Sequence, residues 1–140
     1  MRVAPLSEDV LMQLIAVGTS MTEPGGAVLF RRGEPAFGIF VIKTGSVSLR
    51  LEADDETVII DRIAGPQSVV GLPAALSGSR YSLSAVVREE SEVTHVNNQS
   101  LFDLIKSDSS VGIEIMRALG DEVVQMRTVL ASGQTSSKSA

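Results

Sequence analysis

The chain has 140 residues, 44% of them hydrophobic and 21% charged, with a net charge of −5, which is the composition of one folded domain rather than of a disordered segment. The absence of cysteine excludes disulfides, thiolate metal sites, iron–sulfur clusters and cysteine nucleophiles, and a single histidine excludes a histidine-rich metal site. The acidic balance works against non-specific nucleic-acid binding, and no signal-like N-terminus or apolar run of roughly 18 residues is present, which implies a soluble, cytoplasmic protein that does not enter the membrane.

In chain order the pattern predicts a helix, then strands, then helices. Ser7 is placed to cap a short first helix, with Glu8 and Asp9 in a first turn whose dipole favours acids. Leu11, Leu14 and Ile15 share one face of that helix, and Gly18 is read as its stop. Glu23-Pro24-Gly25-Gly26 is a turn by composition. Six β-rich runs follow: Ala27–Arg31, Phe37–Lys43, Ser46–Glu52, Thr57–Ile63, Ser82–Arg88 and Glu92–Asn97. The run from Ser46 to Leu51 alternates strictly, as a strand with one buried face does. Turns at Thr44-Gly45 and Ala53-Asp54-Asp55 read as hairpins, and their regular spacing points to an antiparallel sandwich or barrel. Asn98 or Ser100 is placed to cap a helix carrying Leu101, Leu104 and Ile105, which Ser107-Asp108-Ser109-Ser110 then breaks. There is no internal repeat.

A last helix is predicted from about Val111 to Ala131, within the segment 109–131, followed by a disordered polar tail over 132–140. Gly112, Met116, Leu119, Val123, Met126 and Leu130 recur at spacings of 4, 3, 4, 3 and 4, the pattern of a coiled-coil seam. Val111, Ile115 and Ala118 form a second apolar face near its start. The expectation is a helix that packs on its own barrel first and on a twin helix later, making a homodimer. The alternative is that both faces pack within one chain.

These elements together carry a resemblance. Gly26-Ala27-Val28-Leu29-Phe30-Arg31-Arg32-Gly33-Glu34-Pro35-Ala36 resembles the opening strand and turn of the cyclic nucleotide-binding domain superfamily. Phe40-Val41-Ile42-Lys43-Thr44-Gly45-Ser46-Val47 is similar to its strand–glycine–strand signature, and Glu92-Val93-Thr94-His95-Val96 to its closing strand. The resemblance runs over residues 8–131 and is nearest to the sensing half of bacterial catabolite-activator and fumarate–nitrate (Crp/Fnr) regulators. Gly33 and Gly45 have a structural reading whichever subfamily applies, since glycine enters tight turns most cheaply.

The resemblance puts the phosphate-binding cassette between Ile63 and Ala85. It implies a Gly-Glu pair opening a short helix, with an arginine and helix N–H groups on the cyclic phosphate and the glutamate on the ribose hydroxyl. Here Gly71-Leu72-Pro73-Ala74-Ala75-Leu76 occupies that segment, and Leu72 stands where the glutamate belongs. Leucine accepts no hydrogen bond, and an unpaired buried hydroxyl costs about 1–3 kcal/mol. Counting back from Ala85 aligns the family arginine with Ser79, so Arg80 falls one place late, which in a strand is the opposite face. Gln67 replaces a glycine ahead of the cassette, and Met126 and Arg127, with Thr128 beyond, replace a base-contacting hydroxyl residue. Two readings stay open. In one, Gly71, Leu72, Pro73, Ala74, Ala75, Arg80, Tyr81 and Ser82, with Ser84, line a pocket for a small anionic or nucleotide ligand or an unidentified metabolite. In the other, the apolar residues pack the barrel mouth and Arg80 is solvated.

Other chemistry-bearing residues have simpler explanations. His95 is read as a surface or hydrogen-bonded strand histidine rather than a haem or metal ligand. Asp54-Asp55-Glu56 and Glu89-Glu90 are read as solvated hairpin tips, and Arg31-Arg32 is too short for a nucleic-acid patch. No serine has a base partner, and no metal set is complete. The fold class expected is mainly β with flanking helices: an antiparallel β-barrel or jelly roll (double-stranded β-helix) with a short N-terminal and a long C-terminal helix, residues 1–131 forming one sensory domain. The function expected is a non-catalytic ligand-sensing regulatory domain, degenerate for cAMP and cGMP, with no assigned cofactor. The alternatives are a ligand-free dimeric module that binds another protein, a true cAMP or cGMP sensor and, last, an enzyme. The chain stops about ten residues after its last helix, short of a winged helix-turn-helix, so by itself it is expected not to bind DNA.

Overall fold

A computed structural model describes residues 2–55 and 57–120 of the chain. The elements are α1 (Glu8–Ala16), β1 (Thr19–Glu23), β2 (Val28–Phe30), β3 (Gly38–Thr44), β4 (Val47–Glu52), β5 (Val58–Ala64), β6 (Val69–Val70), α2 (Leu72–Ser77), β7 (Ser84–Val87), β8 (Ser91–Asn97) and α3 (Asn98–Ser107). A further helical stretch, α4, occupies residues 109–120. The strands form two four-stranded antiparallel sheets, ordered β1-β8-β3-β6 and β2-β7-β4-β5. This is the mainly β, jelly-roll-like architecture expected, and the six predicted β runs all appear as strands.

Packing explains why β3 reads as an unbroken apolar run. Gly38-Ile39-Phe40-Val41-Ile42 is buried on both faces. The second sheet covers one side, where Phe40 meets Phe30 of β2 at 6.1 Å between ring centroids. α1 and α3 pack against the same strand. Residues from α1, both sheets, α2, α3 and α4 join in one core.

The helix signals hold with local corrections. Ser7 caps α1, accepting from the Val10 N–H at 3.3 Å. The Ser7 hydroxyl also donates to Glu114 at 2.8 Å, while the Ser7 N–H donates to the other Glu114 oxygen at 3.0 Å, so the first and last described helices are tied together. The helix closes at Val17, and Gly18 is not a left-handed stop. Gly18 is needed for close approach to β8: a Cβ there would lie 2.7 Å from the His95 carbonyl oxygen. α3 is capped by Asn97, whose Oδ1 accepts from Ser100 N at 2.8 Å, rather than by Asn98 or Ser100. The break falls at Asp108, whose Oδ1 accepts from the Ser110 hydroxyl and N–H at 2.6 and 3.0 Å. Those bonds hold the Asp108 carboxyl below its ordinary pKa.

Two strands escape the sequence pattern. β1, Thr-Ser-Met-Thr-Glu, is a half-exposed edge strand with one apolar residue, and β6 is only two residues long. β4 also departs from the single buried face expected of its alternation. Val47, Ser48 and Leu49 are all buried, because Val86 and Ile63 on neighbouring strands flank Ser48 on its other face. The α4 residues Val111, Ile115 and Ala118 are buried in the core, whereas Met116 on the other stripe is 71% exposed and Leu119 is partly exposed. Val123, Met126 and Leu130 of the expected seam, Arg127 and Thr128, and the tail 132–140 lie outside the described residues. Among the described residues no helix is long and apolar enough to cross a membrane.

Candidate functional site

The cassette is built from two left-handed glycines and a one-and-a-half-turn helix. Gly71 (φ 88°) is the N-cap of α2, and its carbonyl accepts from Ala75 N at 3.1 Å. A Cβ on Gly71 would sit 3.1 Å from the Tyr81 ring and 3.2 Å from the Gly38 carbonyl oxygen, so glycine answers both the dihedral and the space. Gly78 (φ 66°) ends the helix, donating to the Ala74 carbonyl. Just upstream, Gln67 has φ 69°, with its N–H on the Ile42 carbonyl at 2.7 Å. The backbone therefore keeps a glycine-like conformation at the position where the resemblance expects glycine, at a strain of about 1 kcal/mol or more for a residue with a Cβ.

α2 turns its apolar side inward. Leu72 is 0% exposed, and Ala74 and Ala75 are buried with it, while Pro73 and Leu76 are partly covered. After Gly78 the chain is zipped to the β2–β3 connection. Ala36 N donates to Ser79 O at 3.0 Å, Tyr81 N to Glu34 O at 3.0 Å, and Gly33 N to Tyr81 O at 2.8 Å. In this extended stretch neighbouring side chains take opposite sides. Arg80 points outward, exposed, with Nη1 on the Gly33 carbonyl at 2.7 Å. Tyr81 points inward and is 2% exposed. Ser82 is exposed, and the Ser84 hydroxyl accepts from Arg32 N at 2.9 Å.

Tyr81 is a structural residue in this setting. Its ring stacks on Phe30 at 3.9 Å and meets Phe37 edge-on at 5.5 Å. Its hydroxyl donates to Gly38 O at 2.7 Å and accepts from Phe37 N and Gly38 N at 3.1 and 3.2 Å. Burial pushes its pKa up. With both lone pairs and the proton engaged, the hydroxyl has nothing left for a ligand. Tyr81→Phe is expected to lower stability by about 2 kcal/mol, since three polar groups lose their partner, and urea denaturation would measure it. Stability equal to the unsubstituted protein would show that the hydroxyl bonds carry no weight.

His95 lies beside this cluster, 4.9 Å from Phe40 and 5.5 Å from Phe37 by ring centroids. Burial pushes its pKa down, partly countered by the neighbouring Phe37 backbone. It is thus a half-buried histidine on the inner side of β8, whose Nε2 is enclosed without a hydrogen-bond partner. The hairpin tip at Asp55 behaves as read from sequence: Thr57 N donates to Asp55 Oδ1 at 3.1 Å and the carboxyl sits below its ordinary pKa.

Of the predicted site residues, the structure joins Leu72, Ala74, Ala75 and Tyr81 in the buried core, with Gly71 against the Tyr81 ring and Pro73 partly covered on the same helix. It sends Arg80 and Ser82 to the surface. The residue that sequence reasoning missed is Arg62, in the middle of β5 and 6% exposed. The signal was available, because Ile60, Arg62 and Ala64 fall in phase along the strand and an arginine there shares the apolar face.

Comparison with known proteins agrees with this architecture. The family model described as the cyclic nucleotide-binding domain matches residues 23–108, more than half of the chain. A structure reported with a cyclic-GMP-dependent signalling pathway that regulates bacterial phytopathogenesis superposes with a TM-score of 0.78 at 21% identity, covering 86% of this chain and 96% of its own. The catabolite activator protein of Thermus thermophilus gives 0.78 at 18% identity over 90% of this chain, which spans 59% of that protein's length. The sensor domain of the transcriptional regulator DNR from Pseudomonas aeruginosa gives 0.69 at 18% identity, covering 89% and 83% of the two chains. At these identities the likeness is one of fold. A search of curated protein sequences gave no significant match. Of these neighbours, one is named as an activator protein and one as the sensor domain of a transcriptional regulator.

Proposed function

We propose, from the premise that this chain belongs to the cyclic nucleotide-binding domain family, that it is a non-catalytic sensory domain of the Crp/Fnr type that has given up cAMP and cGMP. The observation that carries the reading is Leu72. It occupies the position of the ribose-binding carboxylate and is wholly buried, so a ribose hydroxyl placed there would lose its partners in water and gain none. Arg80 supports the same conclusion from the other side of the cassette, since its guanidinium is exposed and held on the Gly33 carbonyl. Regulation would run through the last helix, whose first apolar face is buried in the core; the exposure of Met116 supports contact there with a second copy. A ligand can drive such a change only through different affinity for two helix arrangements.

Calorimetric titration with cAMP and then cGMP, to millimolar concentration, tests the proposal. No heat at either nucleotide is the expected result, with the protein shown folded by circular dichroism. Micromolar binding of either one would mean that Leu72 is tolerated and that this is a working nucleotide sensor. A second reading, a ligand-free module that docks another protein, draws support from the same Leu72 and from the fully engaged Tyr81 hydroxyl.

A further inference from the structure

Among the described residues Arg62 is the one charged side chain in the buried class. Its face is settled by register. Arg62 is directly opposite Leu49 on β4, Leu49 is opposite Ala85 on β7, and Ala85 is opposite Phe30 on β2. Directly opposed residues share a face of an antiparallel sheet. Phe30 stacks on Tyr81 and meets Phe40 of the other sheet, so this row lines the space between the sheets. One end of the row is at the cassette and the other is the Arg62 guanidinium. The neighbouring carboxylate on β5, Asp61, alternates to the outer face and lies 3.9 Å from Arg50.

A guanidinium between two sheets is an expensive way to fill volume. Burial of a charge is unfavourable unless its donors are answered, and a packed apolar residue of similar size serves stability as well or better. Arg62 is engaged within the chain. Its five donors in a planar fork nevertheless allow an oxyanion to share or take over that engagement. Its same-face neighbours, Leu49 opposite on β4 and Ile60 and Ala64 along β5, are apolar and buried. We propose that Arg62, rather than Arg80, is the anion-recognition group of this barrel, and that the ligand is a small molecule joining a phosphate or carboxylate to an apolar body. This deepens the sensor reading and rests on it: the charge has moved from the cassette to β5, and no ribose contact is needed.

Thermal melts with phenyl phosphate, benzoate and the neutral benzyl alcohol, each at 10 mM, test the assignment. Phenyl phosphate or benzoate is expected to raise the melting temperature of the protein by about 3 °C, through binding to the native state alone. Arg80→Ala is expected to keep that rise and Arg62→Met to lose it, while benzyl alcohol gives none. Arg62→Lys retains charge without the fork and is expected to keep less than half of the rise, which reads the site even if Arg62→Met does not fold. The proposal is overturned if neither anion protects the protein, if benzyl alcohol protects equally, or if protection disappears in Arg80→Ala and survives in Arg62→Met. Failure of the sensor reading is a separate event, micromolar cAMP or cGMP binding in the titration above.

Discussion

Gly38→Ala is expected to destabilise the protein by about 3 kcal/mol or more, the range reserved for substitutions that break core packing. The added Cβ would clash with the Val96 carbonyl oxygen and lie 2.7 Å from His95 Nε2 and 3.0 Å from the Asn97 Cα. These are backbone and ring atoms of β8, the strand paired with β3 over its full length, so relief requires the two central strands to part. The N–H of the same glycine donates to the Tyr81 hydroxyl and its carbonyl accepts from it, and parting the strands strains that contact too. Interiors packed to crystal density have no slack to absorb such a shift. Urea denaturation reads the effect, and a loss under about 1 kcal/mol would mean that β3 and β8 yield more easily than this packing implies.

Leu72→Glu is the second large effect, and it separates the two readings of the cassette. If the leucine is core, as its complete burial indicates, the new carboxylate enters an apolar site without a partner and costs about 3–5 kcal/mol at neutral pH. The cost has a pH signature. Burial raises the folded-state pKa of the introduced carboxyl above its unfolded value of about 4.3, so its charging opposes folding as pH rises through that window. The deficit against the unsubstituted protein therefore shrinks towards acid and grows towards neutrality, whereas Leu72→Gln gives a deficit that does not vary with pH. Millimolar cGMP is not expected to restore stability, since Arg80 remains on the surface. Normal stability of Leu72→Glu, together with cAMP or cGMP binding, would instead show that position 72 faces an open nucleotide pocket.

The contrast between Leu72 and Arg62 shows how far the sequence reaches. At Leu72 the absence of a hydrogen-bonding group was legible from residue type alone, because leucine has no acceptor in any environment. At Arg62 the residue type says little, since arginines are ordinarily exposed and the strand could be laid down with either face inward. Its neighbours in phase, Ile60 and Ala64, hinted at the buried face, but that face became certain only with the register to Leu49 and Ala85. Arg80 lies between these cases: its parity was readable by counting from Ala85, and its bond to the Gly33 carbonyl depends on a loop 47 residues away.

The sequence by itself determined the order of elements, the capping of α1 by Ser7, the break at Asp108, the turns at Gly33 and Gly45, and the lack of an acceptor at Leu72. All of these follow from interactions among residues a few positions apart, or from what a side chain lacks. Tertiary structure alone decided that polar Thr19–Glu23 forms an edge strand, that Val69–Val70 pairs with β3, that Gly18 serves contact rather than termination, and that Tyr81 is fully engaged. It alone brought Arg62 between the sheets. In each case the deciding partner is distant in the chain, and at Tyr81 and Arg62 a one-residue change of register would have turned the same side chain to water.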